Sequence, residues 1–266
     1  MISNSRLPSR VVVEGILPQV DCGRFPIKRV VGEAVIVSAD IHADGHDVLA
    51  AVAMYRAAGE QAWDEVPMEA TGNDRWQAAF TVEVIGEYEY TVEGWIDRFA
   101  SWRHELSKKF GAGQDVSSEL LEGAMLVRET LERVQETPFD LRERSAGPGH
   151  REVHGILSER AAALAETSTP PGERVALALS EELERLMTAH PDRSRATRFD
   201  RVLGVIVERV RARFGAWYEM FPRSAGTDAS RSVPWRPSPR VERGNSSYHA
   251  EHAASRRSTV TSSSWR

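Results

Sequence analysis

The sequence is poor in cysteine and in long apolar runs. Its 266 residues include a single cysteine, Cys22, so a disulfide within the chain is excluded, and one thiol fits a reducing compartment. No apolar stretch reaches the roughly 18 residues that a membrane-spanning helix needs. The opening MISNSRLPSR also lacks the apolar centre of a secretory signal. These absences predict a cytoplasmic protein with no membrane partner.

Sequence motifs that identify catalytic sites are also missing. The chain has no serine-centred elbow, phosphate-binding loop, dinucleotide fingerprint or paired-cysteine site. No catalytic residue, metal ligand or cofactor is therefore predicted. The stretch IHADGHD contains His42, Asp44, His46 and Asp47, but short loops rich in Asp, Gly and His are common without metal. We predict a polar turn there.

Charge is unevenly distributed along the chain. The formal net charge is −5, and residues 227–266 contribute seven Arg, no Lys and three acids, a net of +4. Residues 1–226 therefore carry a net charge of −9. Because an acidic body offers no electrostatic attraction to phosphates, we predict no nucleic-acid partner.

Residues 10–112 show the two-residue period of half-buried strands. In DRWQAAFTVE one face has Trp76, Ala78, Phe80 and Val82, and the other has Gln77, Ala79, Thr81 and Glu83. GEYEYTVEGWI and EAVIVSADI repeat the pattern. Several short strands with no helical period between them predict an antiparallel β-sandwich of immunoglobulin type.

Residues 113–213 change to a helical period. Four amphipathic helices are predicted, and because each has one apolar stripe they should pack together as a small α-helical bundle. The first helix follows Asp115, a predicted N-cap, and ends at Pro138. The second covers 151–166, the third runs from Pro170 to Pro191, and the fourth has an apolar stripe that is expected to consist of Phe199, Val202, Leu203, Ile206 and Val210.

The end of the chain differs from both blocks. Residues 214–226 begin with an apolar strand-like run, AWYEMF, without neighbours to cover it, so we predict that it is poorly ordered or aggregation-prone. Residues 227–266 contain ten Ser and no Leu, Ile, Phe or Met, which predicts a disordered tail. Its Arg, Ser, Pro and Ala content is also typical of GC-rich DNA translated out of frame.

One aromatic residue falls on the polar face of its predicted strand. Trp95 lies beside Glu93 and Asp97 in EGWID, so its ring is either exposed or covered by another domain. Flat rings bind sugars by stacking, and exposed aromatic residues also mark interfaces. Trp95 is therefore the candidate for α-glucan binding or for an interface.

Several stretches in the same order resemble one enzyme family. VDCGRFPIKRVVGE, ADIHADGHDVLAA, YRAAGEQAWDEVPM, YEYTVEGWIDRFASWRHEL and HPDRSRATRFDRVLGVIVERVRARFGAWYEMFPRSAG are similar to the N-terminal region of bacterial α-1,4-glucan:maltose-1-phosphate maltosyltransferases. The resemblance covers about residues 6–226. It implies a β-sandwich N domain with a helical insert, a homodimer, and an α-amylase-type barrel that holds the catalytic residues.

The resemblance stops at the segment that resembles the first barrel strand. Retaining transfer needs two carboxyl groups about 5–5.5 Å apart, and the family takes both from later barrel strands. The sequence therefore predicts a truncated or frameshifted member, inactive alone, that serves as an accessory and dimerisation region. Two alternatives stay open: a glucan-binding module, and a structural partner of an intact maltosyltransferase subunit.

Overall fold

The computed structural model describes residues 10–136 and 150–214. Within these residues, ten strands form two sheets: β1 (Val11–Leu17), β2 (Ile27–Val30), β3 (Ala34–Ala43), β4 (Leu49–Ala57), β5 (Asp64–Pro67), β6 (Glu69–Gly72), β7 (Arg75–Thr81), β8 (Gly86–Ile96), β9 (Thr197–Arg198) and β10 (Leu203–Glu208). The first sheet has the order β1-β3-β7-β6, and the second has the order β2-β10-β8-β4-β5 with β9 paired to β8. All pairs are antiparallel except β10 with β2.

The two sheets share one hydrophobic core. The first sheet contributes Val35 and Phe80, and the second contributes Ala53, Val92 and Leu203. The predicted alternation is confirmed in β3, β7 and β8, where every second side chain points into this core. Two mostly antiparallel sheets with a common core are therefore established for the described residues.

Five helices follow or interrupt the strands in the described residues: α1 (Arg98–Gly111), α2 (Ser117–Glu136), α3 (His150–Ala165), α4 (Pro171–Ala178) and α5 (Glu181–Ala189). Their apolar faces form a second core that includes Trp102, Leu120, Leu157 and Leu183. A short 3-10 helix, Val210–Phe214, comes after β10. None of the described helices is both long and apolar enough to cross a bilayer.

The first two predicted helices are confirmed. Residues 117–136 bury Leu120, Ala124, Val127 and Val134, four members of the predicted stripe. Asp115 lies two residues before the helix, and its side chain accepts hydrogen bonds from the backbone N–H and the hydroxyl of Ser117. The second predicted helix, 151–166, corresponds to α3.

The predicted helix that contains Phe199, Val202, Leu203, Ile206 and Val210 is wrong. Residues 203–208 form β10, which inserts between β2 and β8 and buries Leu203, Val205 and Val207. The short run LGVIV fits both the helical and the strand period. It forms a strand because it is rich in β-branched residues and pairs with a strand on each side. The chain therefore returns from the helices into the second sheet.

Two further helix boundaries differ from the prediction. The third predicted helix is two helices, α4 and α5, because the chain breaks at Leu179 and Ser180 accepts a hydrogen bond from the backbone N–H of Leu183 as N-cap. Residues 98–111, which the sequence predicts to lie in the β-sandwich, form α1. Its N-cap is Asp97, whose carboxylate accepts the backbone N–H of Ala100 at 2.8 Å.

Several predictions concern residues outside those described. The orphan strand in 214–226, apart from Phe214 itself, and the disordered tail of 227–266 are among them. Both stay predictions.

Tyr90 is the largest fully buried side chain of the shared core, and its hydroxyl donates a hydrogen bond to the Pro18 carbonyl. Burial disfavours the phenolate and raises the pKa of Tyr90 to about 12. Because the unfolded-state pKa is about 10, the stabilising contribution of neutral Tyr90 is complete below that pH and is lost as the pH rises through about 12.

We expect Tyr90 to ionise near pH 12 in the folded protein. The measurement is the difference in tyrosinate absorbance between the wild type and a Tyr90→Phe variant, followed as the pH is raised. If this difference in absorbance instead develops near pH 10, the ordinary pKa of tyrosine, the burial of the Tyr90 hydroxyl would be contradicted.

Candidate functional site

Trp95 lies on the outer face of the second sheet and is 5% exposed. It pairs with Ala50 in the β4–β8 register and packs with Val52 and Met54 in a small cluster apart from the shared core. Ala196, in the segment that connects α5 to β9, packs against the same cluster. The ring is therefore covered by a part of the chain that comes after the helices.

Arg193 holds this covering segment on the sheet. Its guanidinium lies 4.4 Å from the centroid of the Trp95 ring, within cation–π range. The same group makes two hydrogen bonds to the carboxylate of Glu65 on β5, at 2.7 and 2.8 Å. A two-point contact between planar groups fixes direction as well as distance, so Arg193 determines how the segment 190–196 sits on the sheet.

A second arginine continues the ion pairs. Arg198 on β9 binds the carboxylate of Glu93 at 3.0 Å, and Arg193 is 3.8 Å from the same carboxylate. Glu93 is mostly buried, with 13% of its side chain exposed. The two arginines offset the negative charge of this partly buried carboxylate. Without them, Glu93 would be a buried charge with no partner of opposite sign.

A small cleft lies where the sheet, the helices and the 190–196 segment meet. Its volume is about 20 Å³, room for about one water molecule. The lining includes Trp95, Arg98, Glu129 and Asp192. Arg98 contacts the carboxylates of Glu129 at 2.9 Å and of Asp192 at 3.6 Å. The cleft is a charged joint between structural units and is too small for a sugar.

Asp192 is ionised in this joint. Burial alone would raise the pKa of its carboxyl group. Hydrogen bonds from Ser194 and the nearby positive charges of Arg133 and Arg98 outweigh burial and hold the pKa below its usual value. The charge of Asp192 is therefore matched by arginines that come from α1 and α2.

Trp95 also has an unsatisfied polar atom. Its indole Nε1 is buried without a hydrogen-bond partner, as is the Nε of Arg193. A sugar could stack on the Arg193 side of the ring only after that guanidinium had moved away. The structure thus brings Trp95 to an interface within the chain, between the second sheet and the segment that leaves the helices.

Comparison with known proteins shows the family of this chain. Residues 9–209 match the family model described as "Alpha-1,4-glucan:maltose-1-phosphate maltosyltransferase, domain N/S". The chain belongs to the α-1,4-glucan:maltose-1-phosphate maltosyltransferase family. The resemblance of the sequence to this family is therefore confirmed, with residues 9–209 matched.

Curated relatives carry the same name. The maltosyltransferase of Myxococcus xanthus is 44% identical over 232 residues, which is 85% of this chain and 33% of the relative. The Chlorobaculum tepidum protein is 43% identical over 81% of this chain and 30% of the relative, and the Rhodospirillum rubrum protein is 41% identical over 83% and 32%. This maltosyltransferase-family chain therefore spans about a third of the length of these relatives.

The turn predicted for the motif IHADGHD is present in this maltosyltransferase-family chain at residues 44–47, whereas residues 41–43, with His42, belong to β3. Strand β3 ends at Ala43 and β4 begins at Leu49. Asp44 and Asp47 both pair with Arg10, at 2.7 and 3.0 Å. Within residues 10–136 and 150–214, no group of three or more His, Cys, Asp or Glu is arranged to hold a metal ion.

Sequence reasoning found Trp95 but missed its partner. The alternation of β8 singled out the ring, because an aromatic residue on a polar face needs an explanation. Nothing in HPDRSRATR distinguishes Arg193 from Arg195 or Arg198 without the fold. Only the return of the chain into the second sheet places Arg193 over the ring. The sequence offered one indication that this stretch matters, which is that it belongs to the stretches that resemble the family.

Proposed function

We propose that this chain is an accessory and self-association region of a maltosyltransferase, and that it has no transfer activity alone. The observation that supports this most strongly is the match of residues 9–209 to the N/S domain of the family. We further propose that the sheets form an immunoglobulin-like β-sandwich and that the helices form a bundle inserted before its last strands. A homodimer and a cytoplasmic location are part of the same proposal.

The structure supports an accessory role through the way its two cores are joined. The helices leave the second sheet at Asp97 and the chain re-enters that sheet at β9 and β10, so the helical unit is tethered at both ends. Arg193 and Arg98 then add charged contacts across the joint. A unit of this kind presents a helical surface in a fixed orientation relative to the sheets.

The surface that we propose for self-association is on α2. Leu121 is 46% exposed and Met125 is 61% exposed, and residues four apart lie on the same side of a helix. Exposed large apolar side chains that are adjacent on one face are a common property of protein interfaces. Transfer of maltosyl units from maltose 1-phosphate to α-glucan belongs, in this proposal, to the longer proteins that contain such a region.

Self-association is tested by measuring the mass of the chain in solution with light scattering. We expect twice the chain mass of 29.6 kDa for the wild type and the single mass for a Leu121→Asp, Met125→Asp variant, because two buried charges would replace apolar contacts. The matched control is Ser158→Asp, Ala162→Asp, which adds the same charges four residues apart on exposed positions of α3.

The control is expected to remain dimeric. A wild-type chain that is monomeric at all concentrations would contradict self-association. A charged α2 variant that still dimerises would contradict the assignment to this surface.

A further inference from the structure

The two edges of the second sheet carry opposite charge. β2 lies at one edge of this sheet and β5 at the other. β10 pairs with β2, and the 3-10 helix that follows β10 also contacts β2. We call residues 21–33 and 200–214, which contain these three elements, the basic edge. They hold seven basic and four acidic residues, a net charge of +3, whereas the remainder of residues 1–226 carries −12.

Contacts between the two segments make the basic edge one surface. The Nζ atom of Lys28 is 3.7 Å from the carboxylate of Glu208. Beyond the end of β2, Arg213 pairs with Glu33. The basic side chains reach solvent, and the exposed fraction is 74% for Arg24, 71% for Lys28, 55% for Arg201 and 49% for Arg213. The positive charge is therefore accessible to a partner.

Backbone groups of β2 are already hydrogen-bonded by nearby residues. The backbone N–H of Val30 donates to the Glu33 carboxylate at 2.8 Å, and the Val30 carbonyl accepts the backbone N–H of Glu33 at 3.0 Å. The Lys28 carbonyl accepts a hydrogen bond from the Arg29 guanidinium at 2.8 Å. Unpaired backbone groups are what an added strand would need. A partner at the basic edge is therefore held by side-chain charge and not by strand addition.

The opposite edge is acidic. One residue separates β5 from β6, the outer strand of the first sheet, so residues 60–74 border both sheets. This segment, which we call the acidic edge, has a net charge of −5 and no basic residue. Its acidic residues are all exposed, and they are Glu60, Asp64, Glu65, Glu69 and Asp74. Arg193 pairs with Glu65, so four of the five carboxylates are left to meet a partner.

We propose that the basic edge of one copy of this chain binds the acidic edge of a second copy. Charge complementarity supports this occupant, because every copy has a cluster of positive charge and, at the other edge of the same sheet, a cluster of negative charge. Charged outer strands commonly prevent association of sheets, and like charges on both edges would serve that purpose. Opposite charges attract and orient the two copies instead. This contact goes beyond the accessory role and the α2 surface proposed above.

The contact joins two different surfaces, so it is head-to-tail, whereas the contact of α2 with α2 of a second copy is two-fold. A head-to-tail contact leaves one basic and one acidic edge unoccupied, so further copies add until a ring closes. Because the contact rests on exposed charges, salt weakens it. The Debye length is about 30 Å at 0.01 M salt and about 8 Å at 0.15 M. The mass in solution should therefore rise with protein concentration and fall with salt.

Light scattering of the full chain at about 0.01 M and about 0.15 M NaCl tests the contact. At one protein concentration, we expect the weight-average mass at low salt to be at least about twofold higher than at high salt. Equal masses at the two salt concentrations would overturn the proposal. The α2 contact is apolar and should persist at both, so its failure would show separately, as the single-chain mass of 29.6 kDa at high salt.

Charge reversal identifies the edges that take part. One triple variant changes the net charge of the basic edge from +3 to −3, and its substitutions are Arg24→Glu, Lys28→Glu and Arg211→Glu. Another changes the acidic edge from −5 to +1, and its substitutions are Glu60→Lys, Asp64→Lys and Glu69→Lys. Each variant alone has two edges of like sign, so neither should gain mass at low salt. An equimolar mixture should regain it, because the two altered edges attract each other.

Lys108→Glu, Arg185→Glu is the control for net charge. Both residues are exposed on helices, and the pair changes the charge of the chain by −4 without altering either edge. We expect this variant to keep the increase in mass at low salt. Loss of the increase in the control, or a mixture that stays at its high-salt mass, would overturn the proposal. An increase that persists in the basic-edge variant would also overturn it and would assign the acidic edge to another basic part of the chain.

Discussion

Replacing Trp95 by alanine is expected to lower the free energy of unfolding by about 3–5 kcal/mol. The ring is 5% exposed and packs against Val52 and Met54. Its loss leaves a cavity on the outer face of the second sheet and removes the surface on which the Arg193 guanidinium stacks. Urea unfolding followed by circular dichroism measures the change.

Trp95→Phe is the matched control. Phenylalanine keeps an aromatic face under Arg193 and removes the buried indole N–H that has no hydrogen-bond partner, a group whose burial costs about 1–3 kcal/mol. We therefore expect a much smaller loss for phenylalanine than for alanine. If the two variants lose equal free energies of unfolding, or if the alanine variant loses no more than a surface substitution does, the packing of Trp95 between the sheet and the 190–196 segment would be contradicted.

Gly123→Ala is expected to destabilise the protein by about 1–3 kcal/mol, although alanine favours helix by about 1 kcal/mol relative to glycine. A Cβ at position 123 on α2 would lie 2.0 Å from the Cζ2 atom and 2.5 Å from the Cη2 atom of Trp102 on α1. The indole is held in place because its Nε1 donates to the Glu119 carbonyl at 2.7 Å. Relief of the clash therefore requires the two helices to separate.

Gly155→Ala controls for helix propensity. Gly155 is exposed within α3, and a Cβ there meets no atom within 4 Å. We expect this substitution to stabilise the protein by about 0.5–1 kcal/mol. Thermal unfolding of the two variants should give shifts of opposite sign. Two shifts of the same sign would contradict the close packing of α1 on α2 at Gly123.

The sheets were predictable where alternation was strict. In β7 and β8 every second side chain faces the shared core and most of these side chains are apolar, so Phe80 and Tyr90 could be assigned to the core from the sequence. β10 was not predictable from its own residues. Its apolar run satisfies both periods, and only pairing with β2 and β8, which are distant in sequence, makes it a strand.

The candidate site also has one residue that the sequence could predict and others that it could not. Trp95 was identifiable, because an aromatic residue on a polar face is anomalous in the local pattern. Arg193 and Glu65 were not, because 128 positions separate them in the chain and their contact depends on how the segment after α5 returns to the sheet. Contacts of this kind depend on topology, and no local sequence pattern encodes them.

We propose above that this maltosyltransferase-family N/S region does not itself transfer maltosyl units, and the accessory role proposed for the chain depends on this claim. Phosphate release from maltose 1-phosphate in the presence of an α-1,4-glucan tests the claim most directly, with the longer Myxococcus xanthus relative assayed in parallel. We predict no phosphate above the enzyme-free rate for the 266-residue chain. Sustained release by the purified chain would contradict the claim.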